Sequence, residues 1–419
     1  MSPRGETAGD AGAARALSIL LRAPRAAARL IGAGWRALLA TASHVFLWTE
    51  SWLLDSKKSL YGLAVTRIVL GLTGAGLLLT NFSTRFYTFG SGSAWNGEAA
   101  QPQSDFTGIW LFSLFHNVRL DDGVLTALYV VLLVLAVVFA LGWRFKVVLP
   151  VYFVLWVSFI EMNDAVGDQG DNMYRIVLLV LFFADPAARW SLDARRRARA
   201  GDRTILPREI SSLLHNLALV ALTAQVCFVY ASGGLYKAGG EPWSGGYAVY
   251  APLMTERFGT WPVLSDLVTA WGPAVAAISW GSVILQVAFP LMLLTRPTRI
   301  VALIGIMSFH IGIGVLMGLP WFSLAMIGID FIFIRDRTWL RLSRAVRESF
   351  ERDDARAADG GRNDDGLRDG DTARVEDDKR SPDVAPRRPG GERPEPVEEP
   401  EPVEEEGREP VRAEAGARG

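Results

Sequence analysis

Leu213-Leu-His-Asn-Leu-Ala-Leu-Val-Ala-Leu-Thr-Ala-Gln-Val-Cys-Phe-Val229 runs directly into Tyr230-Ala-Ser-Gly-Gly-Leu-Tyr-Lys237-Ala-Gly-Gly-Glu-Pro-Trp243-Ser-Gly-Gly-Tyr247. The apolar half is the text of a membrane helix, and the second half reads as that helix breaking into a glycine-rich loop. A lysine in this place is costly unless it faces a protein interior or a watery cavity, so it marks a functional site. The alternative is a lysine that snorkels from the helix end to the lipid headgroups. Glycines on both sides let backbone or ligand come close, and Trp243 and Tyr247 suit a membrane–water interface.

Working outward, further apolar runs lie at roughly 62–80, 124–142, 147–161, 173–186, 274–295, 299–318 and 320–334, with the quoted run at 212–236. A span needs about 20 predominantly apolar residues, so the shorter runs must tilt or borrow flanking residues. The fold class read from this pattern is all-α: a polytopic integral membrane helix bundle of about eight transmembrane helices. The 14 Trp and 21 Phe agree with a membrane body.

Charge is unevenly placed. Glu351 to Gly419 holds 22 acidic and 13 basic residues, net −9, leaving 22 acidic and 30 basic, net +8, for Met1 to Phe350. Three parts follow: a basic amphipathic N-terminal segment (1–58) lying at the cytoplasmic interface, a transmembrane domain (59–345), and an acidic tail (346–419). The tail is too poor in apolar residues to offset chain entropy, and disorder is expected there. Basic residues collect in alternate loops: Lys57 and Lys58, Arg144 and Lys146, Arg189 to Arg208, Arg296 and Arg299, and Arg335 to Arg344. Because cytoplasmic loops collect Lys and Arg, this implies a multi-pass cell (inner) membrane protein with both termini cytoplasmic. The two long outward loops, 81–123 and 238–273, are rich in tryptophan and read as lids on the membrane surface.

In that orientation the unusual polar residues gather at the outward end. Asn163, Asp164, Asp168, Asp171 and Arg175 sit between the third and fourth runs, Lys237 ends the fifth, and His310 lies within the seventh. A buried charge needs a partner, and an Asp of the 164–171 cluster is the natural one for Lys237. An ion-pair network that only fixes helix order is the competing reading. The single cysteine, Cys227, rules out an intrachain disulfide and any CxxC motif. No P-loop, nucleophile elbow or HExxH helix occurs. The Arg195–Arg199 cluster reads as a positive-inside anchor, so no nucleic-acid partner is expected.

Tyr230-x-x-Gly-Gly-x-x-Lys237 followed by Trp243-x-x-Gly246-Tyr247 resembles the motif of the HTTM (horizontally transferred transmembrane) family, which includes the membrane domain of the vitamin K-dependent γ-carboxylase. Thr66-Arg-Ile-Val-Leu-Gly71, Asn163 to Arg175 leading to Trp190-Ser-Leu-Asp193, and Phe309-His310 leading to Phe322-Ser-Leu-Ala-Met326 are similar too. The resemblance implies a reaction site at the extracytoplasmic face with Lys237 and His310 catalytic. Lys237 takes the place of the base that deprotonates reduced vitamin K. Asn163, Asp168, Asp171, Arg175, Tyr230, Trp243 and Tyr247 would line the substrate site. Reduced vitamin K or menaquinone is the implied cofactor, and a separate quinone reductase the implied partner beside the lipid bilayer. The chain departs from the carboxylase in having Tyr236-Lys237 where that enzyme has adjacent lysines, one extra residue before Trp243, and no large lumenal C-terminal domain. A non-catalytic lipid or small-molecule binding or transport protein is the rival reading. A structural partner that recruits proteins through its acidic tail is the third.

Overall fold

The computed structural model of the chain describes residues 32–92, 104–163, 166–201 and 206–352. The acidic tail beyond 352, the first 31 residues, Trp95 and Asp164 lie outside them. The chain divides into two compact units, Met1–Glu348 and Ser349–Gly419. Of the second only 349–352 are described, and they are helical.

The first unit is all helical, with no strand among the described residues. After α1 (32–54) come α2 (Leu60–Thr80), α3 (Asp122–Leu141), α4 (Phe145–Ile160), α5 (Gln169–Leu181), α6 (Leu192–Ala200), α7 (Arg208–Ala238), α8 (Gly272–Met292), α9 (Arg296–Leu316) and α10 (Pro320–Asp330). Each of the eight apolar runs has become one helix. Five of these, α2, α3, α7, α8 and α9, are long and apolar enough to cross a membrane. The runs at 147–161, 173–186 and 320–334 form α4, α5 and α10, which are shorter.

Small residues put α2 at the centre. A Cβ at Gly71 would stand 2.6 Å from Ala140 Cβ on α3, and one at Gly74 would stand 2.5 Å from the Tyr152 hydroxyl on α4. Helices without a hydrophobic drive between them associate through such close approach. α2 also packs on α10, α7 on α8, and α9 on both α8 and α10. Leu70, Leu78, Tyr129, Phe139, Tyr152, Trp156 and Tyr174 form the buried centre.

Helix ends inside an apolar medium must find partners for their free N–H groups, and here residues distant in sequence supply them. Asp336 accepts from Leu60 N and Tyr61 N at 3.1 and 2.9 Å, closing the start of α2. Asp193 accepts from Arg144 N and Phe145 N at 2.9 and 2.8 Å, closing the start of α4. Arg67, fully buried on α2, donates to Trp190 O at 2.7 Å. Thus Thr66-Arg67 and Trp190-Ser-Leu-Asp193, far apart in the text, form one knot at the end where α2, α4 and α6 begin.

Lys237 stands in the last turn, as its place in the sequence implies: α7 runs unbroken through Gly233-Gly234 to Ala238, and its cap is Gly239. The cost of glycine in a helix interior is roughly 1 kcal/mol, and at Gly234 it is offset by contact. A Cβ there would lie 2.8 Å from Val287 Cγ2 and 3.0 Å from Gln286 Cβ, so only glycine lets α8 approach this closely.

Candidate functional site

That approach places Gln286 of α8 beside the last turn of α7. Lys237 Nζ donates to Gln286 Oε1 at 2.9 Å. Its ammonium also lies 5.0 Å from the centre of the Trp243 ring and 5.2 Å from that of Phe309. Among the described residues no carboxylate pairs with it. For Asp168 and Asp171 the expected pairing gives way to this neutral amide, and Asp164 lies outside the described residues. Asp168 is occupied as the N-cap of α5, accepting from Gly170 N and Asp171 N, while the Asp171 carboxylate accepts from Asp168 N in return. That reciprocal capping box spends both side chains on the helix start.

Lys237 opens onto a cavity of ≈ 180 Å³ whose wall includes Tyr230, Gly233, Gln286, Phe309, His310 and Phe322. Below the lysine sits a buried polar chain. The Tyr230 hydroxyl donates to Asp330 Oδ2 at 2.9 Å and lies 3.1 Å from His310 Nε2. The Tyr230 hydroxyl thus bridges the His310 ring and the Asp330 carboxyl. Among the described residues, His310 Nδ1 and Asp330 Oδ1 have no hydrogen-bond partner.

Four of the nine residues singled out from sequence therefore converge: Lys237, His310, Tyr230 and Trp243. The other five serve elsewhere. Asn163 is buried and donates to Thr88 O at 2.9 Å. Arg175 pairs with Glu161, bonds Asn172 Oδ1 at 2.6 Å and covers the Phe106 ring. Tyr247 is half exposed and bonds Glu241. Asn172, the partner of Arg175, reaches the cavity wall from α5 together with Gln169. Asp330 and Gln286 were missed. Asp330 carried a usable signal, being the one acidic residue inside the apolar run 320–334.

The polar chain is testable on its own. Tyr230→Phe keeps the ring but leaves His310 and Asp330 without their shared partner in a buried setting. The expected loss is about 1–3 kcal/mol, read as a lower melting temperature in detergent. Unchanged melting would mean the two groups are satisfied by water.

No curated protein and no solved structure matches the chain. The HTTM domain, in contrast, matches by its family model over residues 60–339, which takes in every helix from α2 to α10 and all the residues of this cavity. The motif at 230–247, the close α7–α8 contact it requires, and the match across most of the chain lead to one conclusion: the protein is a helical membrane protein belonging to the HTTM-domain family.

Proposed function

We propose that this chain is an inner-membrane HTTM protein of eight spans with both termini cytoplasmic, in which Lys237 acts as a base on a reduced quinone at the extracytoplasmic face, in the manner of the γ-carboxylase. The observation that carries this reading is the lysine's partner. A lysine held by a carboxylate is an ion-pair strut, whereas one held by the Gln286 amide is positioned without being neutralised. Trp243 and Phe309 provide flat walls against which an aromatic ring can lie. A quinol hydroxyl finds an acceptor in the Lys237 amine in its neutral form, and Lys237, Gln286 and His310 all line the cavity. Proton transfer from one hydroxyl to Lys237 raises electron density on the ring and readies it for oxidation. The cavity is below the usual ligand-pocket range of about 300–1,000 Å³, so it takes a ring, with any prenyl tail leaving between helices.

Two experiments test the proposal. Purified protein should turn over reduced menaquinone or reduced vitamin K. Solute flux in proteoliposomes with no product chemistry would instead favour a binding or transport protein. For orientation, in a Cys227→Ser background, Tyr250→Cys should react with an impermeant thiol reagent from outside intact cells and Arg195→Cys should not. Reversed labelling would defeat the extracytoplasmic placement.

A further inference from the structure

The other end of the bundle holds a larger cavity, ≈ 770 Å³. Leu214 on its wall and Lys237 share α7 and stand 23 residues apart, about 34 Å at the rise of an α-helix. The two cavities are therefore separate sites. This one is built where α2 and α4 begin and α5 ends, with α6 and the first turns of α7 completing the wall.

Its charge is one-sided. Among the described residues, Lys57, Lys146, Arg196 and Arg197 line it against one carboxylate, Asp185, leaving a net +3. Lys57 Nζ bonds Asp185 at 3.1 Å. Burial pushes the Asp185 carboxyl up, yet Lys57 and Arg197 outweigh it and hold the group below the usual carboxylate range, a sign of the positive field in which it sits. The remaining cations are committed only in part. Lys146 Nζ donates to Ala184 O at 2.9 Å, Arg197 Nη2 to Ala187 O at 2.5 Å, and Arg196 reaches Asp193 at 3.2 Å with its side chain 55% exposed. An ammonium has three donors and a guanidinium five, so donors remain on each. The rim is apolar, with Phe183 and Leu206 about half exposed.

A donor-rich, acceptor-poor hollow with an apolar rim at the end of membrane helices fits an acidic phosphate group carrying acyl chains. We infer that this cavity binds the phosphate headgroup of an anionic phospholipid, with Lys146, Arg196 and Arg197 on the phosphate and Phe183 and Leu206 along the chains. A soluble phosphate shares the recognition chemistry, and the test separates the two sources.

Native mass spectrometry of the full chain, titrated in detergent with phosphatidylglycerol, phosphatidylcholine or inorganic phosphate, reads the occupancy directly. One phosphatidylglycerol should be retained in preference to phosphatidylcholine. Lys146→Gln/Arg196→Gln should weaken it roughly 30-fold, about fivefold for each basic residue lost, while Lys146→Arg/Arg196→Lys keeps most of the affinity. Inorganic phosphate that competes with the lipid, with the same dependence on the variants, would uphold phosphate recognition and assign a soluble source. Equal retention of the two lipids, or equal retention of phosphatidylglycerol by wild type and the neutral double variant, would overturn the inference. Should the double variant fail to fold, Arg196→Gln alone removes an exposed side chain and carries the test, with the fivefold loss expected.

Discussion

Lys237→Met is expected to abolish quinol-dependent turnover and leave the protein folded. Methionine keeps the length and the apolar stem but cannot accept a proton. Positioned acid–base groups contribute about 10²–10⁴-fold, so the loss should be at least hundredfold. The structural cost is small, because the partner left behind is the Gln286 amide and not a carboxylate. Losing that one bond costs about 1–3 kcal/mol, against roughly 3–5 kcal/mol for stranding a buried charge. Lys237→Arg should also be inactive, since guanidinium keeps its proton. In the wild type, turnover should rise with pH as the amine loses its proton, because only the neutral form is a base. The decisive comparison is turnover with reduced menaquinone beside the melting temperature of the three forms. Full activity in Lys237→Arg would remove the base from the proposal and leave a cation that merely orients.

The largest stability effect is expected at a residue far from that cavity. Gly142 closes α3 in the left-handed region, at φ 64°, and a Cβ there would lie 1.5 Å from Arg67 Nη1 and 2.7 Å from Ser191 Cβ. Gly142→Ala therefore carries two costs. The left-handed backbone costs alanine about 1–2 kcal/mol. Displacing the Arg67 guanidinium from Trp190 O leaves a fully buried cation without its acceptor, which costs roughly 3–5 kcal/mol. Together these approach the whole stability of many proteins, and the melting temperature should fall by at least about 8 °C. Gly233→Ala is the control, since a Cβ at Gly233 meets nothing within 4 Å. It should melt with the wild type or slightly above it. Equal melting of Gly142→Ala and wild type would mean that Arg67 has a second place to go.

Much of this architecture was legible because hydrophobic run length is a strong signal and a helix is the simplest structure that satisfies its own backbone in lipid. All eight runs became helices at nearly the expected places. Lys237 and His310 were legible for the same reason in reverse, as ionisable groups where lipid makes them expensive. What sequence could not reveal was which faces meet. Gln286 is a neutral amide in a long apolar run, and nothing in its own text shows that it faces α7. Nor does the sequence show that Gly234, a residue that weakens helices, serves here to admit α8. Asp168 and Asp171 carry a second, local signal. Acidic residues near a helix start attract functional readings, yet Asp168-Gln-Gly-Asp171 has the spacing of a capping box.

The Asp336 contact with the start of α2 has a consequence for synthesis. The central helix is the first of the eight to leave the ribosome, but the carboxylate that closes its free N–H groups comes 275 residues after Tyr61. At about 5–20 residues per second that is a wait of roughly 14–55 s. Throughout that interval α2 is inserted with an unfinished end, and the close-packed faces meant for α10 have no partner. The nascent bundle is thus an open half-assembly until its last segment arrives, and a chain that stops short of Asp336 leaves the ribosome with its innermost helix unsealed.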